Sequence, residues 1–268
     1  MTATDTGEPL NTRQIADLLA FAHRLADVAG RVIRPHFRAS GAVDNKRLAD
    51  FDPVTAADRD AESAMRDLIA AHYPDHAVYG EEHGAQWGAR FTWVLDPIDG
   101  TRSFIGGFPT WGTLIALAEH GRPVIGIMDQ PIIGERFVGA PNGAFLGDRK
   151  LAVRPCAGLA DAVLYATTPD MFEPAREMPA FQRVERQVKL RRFGGDCYAY
   201  CMLAHGLLDV IVEAAMQPYD IQALIPIVEG AGGIVTNWEG EPAWNAGRIL
   251  AAGDRRVHAA ALEALNRA

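Results

Sequence analysis

The chain has 268 residues, about half of them hydrophobic, and its 34 acidic against 26 basic residues give a formal net charge of −8. A chain of this length can bury a substantial core as one large or two small domains, and an acidic chain without a Lys/Arg stripe argues against a nucleic-acid partner. No apolar run reaches membrane-spanning length, and the first ten residues lack the parts of a signal peptide. The three cysteines have no spacing that indicates a disulfide framework. We therefore expect a soluble cytoplasmic protein.

Helical periodicity dominates the first part of the chain. Apolar residues at helical spacing predict a long amphipathic helix over residues 12–37, with Asn11 or Thr12 as its cap. A second helix is predicted after Thr55 and ends before Pro74. Short apolar segments separated by Gly, Pro and Asn then predict an antiparallel meander with strands at residues 114–117, 124–128, 136–139 and 144–146.

Beyond about residue 155 the predicted strands and helices alternate. Strands are predicted at residues 163–166, 190–193, 209–213, 234–237 and 249–252, and helices at 179–188, 196–205, 221–229 and from 255 onward. Pro226 should bend or shorten its helix. Cys197 and Cys201 are four residues apart, hence on one face of their predicted helix, and we expect them to be core residues, with a redox or metal role as the alternative. The whole pattern predicts a layered α/β fold that is subdivided near residue 150.

The segment from Trp93 to Phe104 carries the most informative motif. Its first apolar residues predict a buried strand, and Pro97 is expected to stop ladder pairing beyond it. Asp96 and Asp99 then stand three residues apart at the strand end. Two carboxylates placed in this way can hold a hard cation such as Mg²⁺, although a turn with solvated aspartates is the ordinary alternative.

The two residues that follow favour an anion. Gly100 and Thr101 predict a turn that feeds a short helix, whose first amides and dipole would favour a phosphate group. A metal site beside an anion site is the arrangement for metal-assisted hydrolysis of a phosphate ester.

Further carboxylates stand at similar positions elsewhere in the chain. Glu81 and Glu82 follow an apolar stretch, Asp220 precedes an apolar helix, and Asp52 and Asp58 lie upstream. Together with the Asp96 motif they supply the ligands of a cluster of two or three metal ions.

These motifs, taken together, resemble those of the inositol monophosphatase superfamily. They are Asp52-Pro-Val-Thr55-Ala-Ala-Asp58, Gly80-Glu81-Glu82, Asp96-Pro-Ile-Asp99-Gly-Thr101, Tyr219-Asp220 and Glu229-Gly-Ala-Gly-Gly233. They occur in family order and span residues 46–233. The resemblance implies an αβαβα sandwich, one domain with subdomains at about 1–150 and 151–268, and a metal site between the two sheet regions. It also implies a phosphate monoester hydrolase that uses two or three Mg²⁺ ions, with Mn²⁺ as a possible substitute, and a homodimer.

The same resemblance implies roles for the carboxylates. Glu81, Asp96 and the backbone carbonyl of Ile98 would hold one metal, and Glu81 would share a weaker third. The second metal would be held by Asp96, Asp99 and Asp220. Thr101 and Glu81 would orient the attacking water, without a covalent phospho-enzyme.

Two residues near these motifs each have two alternative roles. Asp58 either supports Thr101 or a metal water, or belongs to the N-cap region of the second helix. Lys46 is either the family lysine near the metal waters or a solvated loop residue. The histidines have no ligand spacing, and we expect them to be surface or packing residues.

The substrate is predicted from the wall around the phosphate site. Asp196 stands where inositol phosphatases typically carry a small residue, and Glu213 follows nearby. Two acids around a leaving group favour a cationic alcohol, and L-histidinol phosphate carries both an ammonium and an imidazole. Helix N-capping is the alternative role for Asp196. The residues expected to touch substrate are Asp99, Arg192, Gly195, Asp196, Glu213 and Asp220.

The sequence around these residues resembles the histidinol-phosphatase branch of the superfamily, which acts in histidine biosynthesis. Arg102-Ser103 and Tyr219 stand where inositol phosphatases show Thr-Asn and Trp. A bisphosphate nucleotidase would be expected to read Asp-Gly-Thr-Lys-Glu-Phe. The alternatives are an inositol-1-phosphatase or related sugar phosphatase and, in another class, a non-catalytic protein that binds phosphate or metal.

Overall fold

The computed structural model describes residues 10–39, 44–45, 53–54, 56–86 and 90–267. Lys46, Asp52 and Thr55 lie outside these residues. The helices are α1 Thr12–Ile33, α2 Ala56–His72, α3 Thr101–Gly106, α4 Glu177–Glu185, α5 Asp196–Ala204, α6 Pro218–Ile221, α7 Leu224–Gly230 and α8 Arg255–Asn266. Short 3₁₀ turns occur at Arg34–His36, Leu159–Asp161 and Pro169–Met171. Among the helices that the structure describes, none combines the length and apolar character needed to cross a membrane.

The strands form one large and one smaller mixed sheet, together with a short two-stranded ribbon. The ribbon pairs β1 Asp44–Asn45 with β2 Pro53–Val54. The large sheet contains β3 Ala77–Gly80, β4 Gly84–Gln86, β5 Phe91–Asp99, β6 Gly112–Glu119, β7 Arg122–Gln130, β8 Glu135–Ala140, β9 Gly143–Leu146 and β10 Arg149–Lys150. The smaller sheet contains β11 Val163–Ala166, β12 Leu190–Phe193, β13 Val210–Met216, β14 Ile234–Asn237 and β15 Gly247–Ala252.

Strand order confirms the predicted antiparallel meander. The large sheet runs β10-β9-β8-β7-β6-β5-β3-β4, and only its β3–β5 pair is parallel. The smaller sheet runs β12-β11-β13-β15-β14, with β11 parallel to both of its neighbours. The sandwich is layered in the order α1/α2, large sheet, α5/α7, smaller sheet, α4/α8, and three buried apolar clusters fill the spaces between layers. This confirms the αβαβα sandwich that the family resemblance implied.

The central helix layer packs very closely on the large sheet. A Cβ atom at Gly126 would lie 1.9 Å from the carbonyl oxygen of Ala223, and one at Gly139 would lie 2.2 Å from the amide nitrogen of Ile227. Only glycine permits this approach, because real Cβ atoms do not come within 3.0 Å of backbone. The two glycines therefore set how near α7 lies to the strands that carry the site.

Prolines explain where the helices depart from the predicted ranges. Helix α1 is capped by Asn11, one of the two predicted caps, but ends at Ile33 and passes into the 3₁₀ turn Arg34–His36, because Pro35 has no amide hydrogen to donate to the carbonyl four residues earlier. The predicted helix at 221–229 is divided into α6 and α7, because Pro226 cannot donate to the carbonyl four residues earlier. The effect predicted for Pro226 is thus confirmed, and the helix predicted at 179–188 lies instead at Glu177–Glu185.

Candidate metal and phosphate site

An irregularity near the end of β5 brings Asp96 and Asp99 to the same place. Strand pairing with β6 holds through Asp96, shifts register, and resumes where Asp99 pairs with Gly112. Pro97 therefore interrupts the ladder without ending it, and the expectation that pairing stops there is wrong. In a regular strand, residues three apart point to opposite faces of the sheet. The register shift removes this constraint, so both carboxylates can join one cluster.

Asp96, Asp99 and Asp220 form that cluster. Each offers a carboxylate oxygen, and these oxygens all lie within 4.8 Å of one another. Asp220 comes from α6, where its Oδ2 accepts the amide hydrogen of Gln217 at 2.7 Å. The structure thus joins three of the predicted metal ligands from two distant parts of the chain.

The electrostatics of the cluster favour a cation. Burial, reinforced by repulsion from neighbouring carboxylates, raises the pKa of Asp96 and of Asp99 well above the ordinary range. Burial also raises the pKa of Asp220 to about 7. A divalent ion would relieve this repulsion, and three hard oxygen donors in near contact suit Mg²⁺. The residues present therefore fit the predicted metal.

Glu81 and Asp58 lie beside the cluster. Glu81 follows β3, and its amide hydrogen bonds to the carbonyl of Leu95 at 3.2 Å, which ties it to the strand that carries Asp96. Its charge helps to raise the pKa of Asp96 and of Asp220. Asp58 is the third residue of α2, is almost completely buried, and also raises the pKa of Asp96. Asp58 therefore lies close enough to the cluster for its charge to act on Asp96.

The turn after the strand has the predicted form. Gly100 has φ +85° and leads directly into α3, which begins at Thr101. A Cβ atom at Gly100 would lie 2.8 Å from Cγ of Asp196, so both its conformation and its surroundings require glycine. The Thr101 hydroxyl donates to the Ile98 carbonyl at 3.2 Å, which places two of the predicted functional groups in contact.

The start of α5 departs from the prediction. Asp196 is the first residue of this helix, and its Oδ2 accepts hydrogen bonds from the hydroxyls of Ser103 at 2.6 Å and Thr110 at 3.0 Å. The amide of Cys197 instead donates to Asp99 Oδ2 at 2.8 Å. Helix capping by Asp196 is therefore wrong: Asp99, from another strand, accepts the helix amide.

Asp196 and Glu213 line a cavity of about 290 Å³ that Asp99, Thr101 and Asp220 also line. Glu213 is buried within β13, which extends beyond the predicted strand. Its Oε1 accepts the amide and hydroxyl of Thr167 at 2.9 and 2.6 Å, and its Oε2 accepts the Tyr200 hydroxyl at 2.7 Å. Burial raises the pKa of both Asp196 and Glu213, although these hydroxyl donors oppose the shift.

Two other predicted substrate residues lie away from the cavity lining. Arg192 is exposed on β12, the edge strand of the smaller sheet. Gly195 is the N-cap residue of α5 and has φ +108°. Conversely, sequence reasoning missed Thr110, Thr167 and Tyr200, which hold the two acidic side chains. No local motif marked them, because Thr110 and Thr167 lie 86 and 46 residues from the acids that they bind, and Tyr200 lies 13 residues before Glu213 on a different element. All three cysteines are buried and unpaired, as predicted for Cys197 and Cys201.

Comparison with known proteins gives the family. Residues 14–268 match the model of the inositol monophosphatase family, and the chain belongs to this family. It is 42% identical to the chloroplastic bifunctional phosphatase IMPL2 of Arabidopsis thaliana, over 98% of this chain and 79% of that protein. It is 38% identical to a histidinol-phosphatase of Chlorobaculum parvum, over 83% of this chain and 86% of the relative. An inositol monophosphatase structure from Zymomonas mobilis is similar with a TM-score of 0.86 and 45% identity, covering 94% of this chain and 98% of that one.

Proposed function

We propose that this phosphatase of the inositol monophosphatase family hydrolyses L-histidinol phosphate to L-histidinol and phosphate, with Mg²⁺ as its cofactor, in histidine biosynthesis. The observation that carries the substrate proposal is the composition of the cavity wall. Asp196 and Glu213 add two acidic side chains to a cavity that already contains Asp99 and Asp220 of the carboxylate cluster. The cavity therefore has an acidic side for a leaving group beside the place proposed for the phosphate.

Charge complementarity supports a cationic leaving group. Asp196 is held through Oδ2 by the hydroxyls of Ser103 and Thr110, and the charge of Arg102, which also lines the cavity, favours its ionised form. Burial raises the pKa of Asp196 and of Glu213, and an ammonium or imidazolium group would stabilise both in their ionised form. The relative named as a histidinol-phosphatase supports the same substrate.

The proposed mechanism assigns a role to each side chain at the cluster. Glu81, Asp96 and the Ile98 carbonyl would hold one metal, Asp96, Asp99 and Asp220 a second, and Glu81 would share a weaker third. Bound Mg²⁺ supplies charge neutralisation of the phosphate and lowers the pKa of water. The amides of Gly100 and Thr101 would bind phosphate oxygens, and no covalent phospho-enzyme is required.

Orientation of the attacking water falls to Thr101 together with Glu81. The Thr101 hydroxyl already donates to the Ile98 carbonyl, so its oxygen lone pairs are turned away from that bond and can accept a hydrogen bond from water. Asp58, buried next to Asp96, would support this arrangement from α2.

The experiment compares esters with and without a cationic leaving group. We expect Mg²⁺-dependent hydrolysis of L-histidinol phosphate to be faster than that of inositol 1-phosphate or glycerol phosphate. Asp196→Ala should lower kcat/KM for histidinol phosphate about ten- to hundred-fold, because one charge-assisted hydrogen bond contributes on the order of 1.5–3 kcal/mol. Hydrolysis of glycerol phosphate, which has no cation, should change little.

A matched control separates charge from packing. Ser103→Ala removes one hydroxyl from Asp196 but keeps its carboxylate, so it should affect both esters to a similar small extent. An equal loss on both esters in Asp196→Ala would mean that Asp196 acts only by holding Ser103 and Thr110. Faster hydrolysis of inositol 1-phosphate by the wild-type enzyme would favour the alternative that the Zymomonas mobilis neighbour supports. Absence of phosphate release from every ester would favour a non-catalytic phosphate- or metal-binding protein.

We also propose a homodimer in the cytoplasm. Ile132 and Ile133, in the turn that follows β7, are large apolar side chains exposed on the meander, and Phe108 is 67% exposed in the same half of the chain. Burial of such side chains against a second copy would remove apolar surface from water. Sedimentation of the purified protein tests this proposal, and a monomer at micromolar concentration would refute it.

A further inference from the structure

Glu62 is a buried charged residue that the proposed mechanism leaves without a role. Its side chain in α2 has 0% exposure, although an isolated carboxylate is costly to bury. It lies at four-residue spacing from Asp58 and Arg66, so these three residues share one face of the helix. Of these three residues, Asp58 is the one whose charge acts on the carboxylate cluster, where it raises the pKa of Asp96. The position of Glu62 beside Asp58 therefore suggests a link to the site.

The carboxylate of Glu62 binds the turn that carries Glu81. Its Oε2 accepts the amide hydrogen of Glu82 at 2.7 Å, and its Oε1 accepts that of His83 at 3.2 Å. These are the two residues that directly follow Glu81. Because both amides donate to the same carboxylate, Glu62 fixes the orientation of the peptide groups on the C-terminal side of Glu81.

The same carboxylate also touches the residue before Glu81. A Cβ atom at Gly80 would lie 2.1 Å from Glu62 Oε1, far inside contact distance. Gly80 does not have a positive φ, and the Glu62 carboxylate occupies the space that a Cβ atom at this position would need. Glu62 thus contacts the backbone on both sides of Glu81.

Arg66 completes this arrangement. Its Nε donates to Glu62 Oε1 at 2.7 Å, and its second guanidinium nitrogen donates to the carbonyl of Gly84 at 2.5 Å. Arg66 therefore compensates the charge of Glu62 and ties the far end of the same turn to α2. An apolar side chain at position 62 would fill the space but leave the two amides without their acceptor.

We infer that Glu62 is a positioning residue that fixes the Glu81 carboxylate for metal binding. The inference rests on the proposed function, because it takes Glu81 as a metal ligand. A carboxylate on a turn stays oriented toward a metal ion only if the backbone of the turn is held in place. Mutation of groups that orient metal ligands typically lowers metal affinity ten- to hundred-fold. Loss of the Glu62 carboxylate should therefore weaken Mg²⁺ binding, with little effect on substrate affinity once Mg²⁺ is saturating.

The first test uses Glu62→Gln in the full chain after removal of metal with EDTA. Calorimetric titration with Mg²⁺ should show affinity about ten- to hundred-fold below the wild type. The Mg²⁺ concentration for half-maximal phosphatase activity should rise by the same factor, and the KM for substrate at saturating Mg²⁺ should stay within about two-fold. This split between metal and substrate would not arise from a general loss of stability.

The matched control is Glu119→Gln. Glu119 is paired with Arg90 at the opposite end of β5 and β6 from the cluster, so this variant also breaks a partly buried Arg–Glu pair. Its Mg²⁺ affinity should equal that of the wild type. If Glu62→Gln also binds Mg²⁺ like the wild type, the inference is wrong. If the wild type itself binds no Mg²⁺, the proposed function fails and the inference fails with it.

A double-mutant cycle tests the contact itself and does not depend on how well Glu62→Gln folds. Gly80→Ala should weaken Mg²⁺ binding, because the new methyl group displaces the Glu62 carboxylate. In a Glu62→Ala background that collision is absent, so Gly80→Ala should then cost less than about two-fold. Effects that simply multiply in the double variant would contradict the inference.

Discussion

The carboxylate cluster predicts a variant that is more stable than the wild type but unable to hold metal. Asp220→Asn removes one charge from a site where burial holds the pKa of Asp220 at about 7. The amide oxygen of Asn can still accept the hydrogen bond that Gln217 donates to Asp220, so the local capping arrangement is kept. We therefore expect Asp220→Asn to stabilise the metal-free protein at pH 8.

The size and pH dependence of the gain follow from the pKa. A folded-state pKa of about 7, against an ordinary value of 3.8, means that the folded protein binds more protons than the unfolded chain between these pH values. Its stability therefore falls as pH rises through that window. The difference between these two pKa values corresponds to a penalty on the order of 4 kcal/mol at pH 8, and the penalty is smaller at pH 5. Asp220→Asn removes this penalty, so its advantage should shrink as pH falls toward 4.

Urea unfolding with EDTA at pH 8 and pH 5 measures this difference directly. Excess Mg²⁺ should make the wild type the more stable of the two proteins, because binding of the ion stabilises the wild type, whereas the variant lacks one of the ligands. Asp170→Asn, which removes an exposed acidic charge elsewhere, should change stability by less than about 0.5 kcal/mol and controls for net charge. If Asp220→Asn is less stable than the wild type in EDTA at both pH values, burial of the Asp220 charge does not destabilise the folded protein as this prediction requires.

Three further outcomes are expected at the same site. Asp96→Asn should abolish turnover without lowering the melting temperature in EDTA. Substantial remaining Mg²⁺-dependent activity in this variant would contradict the metal assignment. Thr101→Ala should lower kcat far more than it raises KM, because water orientation matters mainly in the transition state, whereas weakened binding at unchanged kcat would make Thr101 a phosphate anchor. Mg²⁺ binding should release protons and weaken as pH falls below 7, since Asp220, and with it Asp96 and Asp99, must be ionised to bind the ion. Calorimetry in buffers of different ionisation enthalpy measures that release, and an affinity independent of pH would refute it.

Much of the fold could be predicted because its strongest determinants are local. The meander β6–β9 has short apolar strands separated by turn residues, and every predicted strand was found within a few residues of its predicted ends. The division of α6 from α7 likewise follows from one residue, Pro226. Both features depend on chemistry within a few positions of the chain, which is what a single sequence records.

The geometry of the site could be predicted only in part because it depends on distant contacts. The spacing of Asp96 and Asp99 suggested a metal site, but the register shift that joins their carboxylates arises from pairing with β6. The interpretation of Asp196 as a helix cap failed for a related reason. An Asp before an apolar helix is the usual capping signal, yet the competing donors Ser103 and Thr110 are close only in the folded protein.

The loop before α5 shows why this local rule fails at this position. Gly194, Gly195 and Asp196 have φ values of +88°, +108° and +45°, and the left-handed conformation is unfavourable for Asp196. That conformation accompanies the bonding of the Asp196 side chain to Ser103 and Thr110, while Asp99 accepts the helix amide of Cys197. Asp99 is thus both a member of the carboxylate cluster and the acceptor at the start of α5. The same helix carries Tyr200, which holds Glu213 in the cavity wall. A single helix therefore ties the metal cluster to both acidic residues proposed for the leaving group, and local strain at Asp196 is what this connection costs.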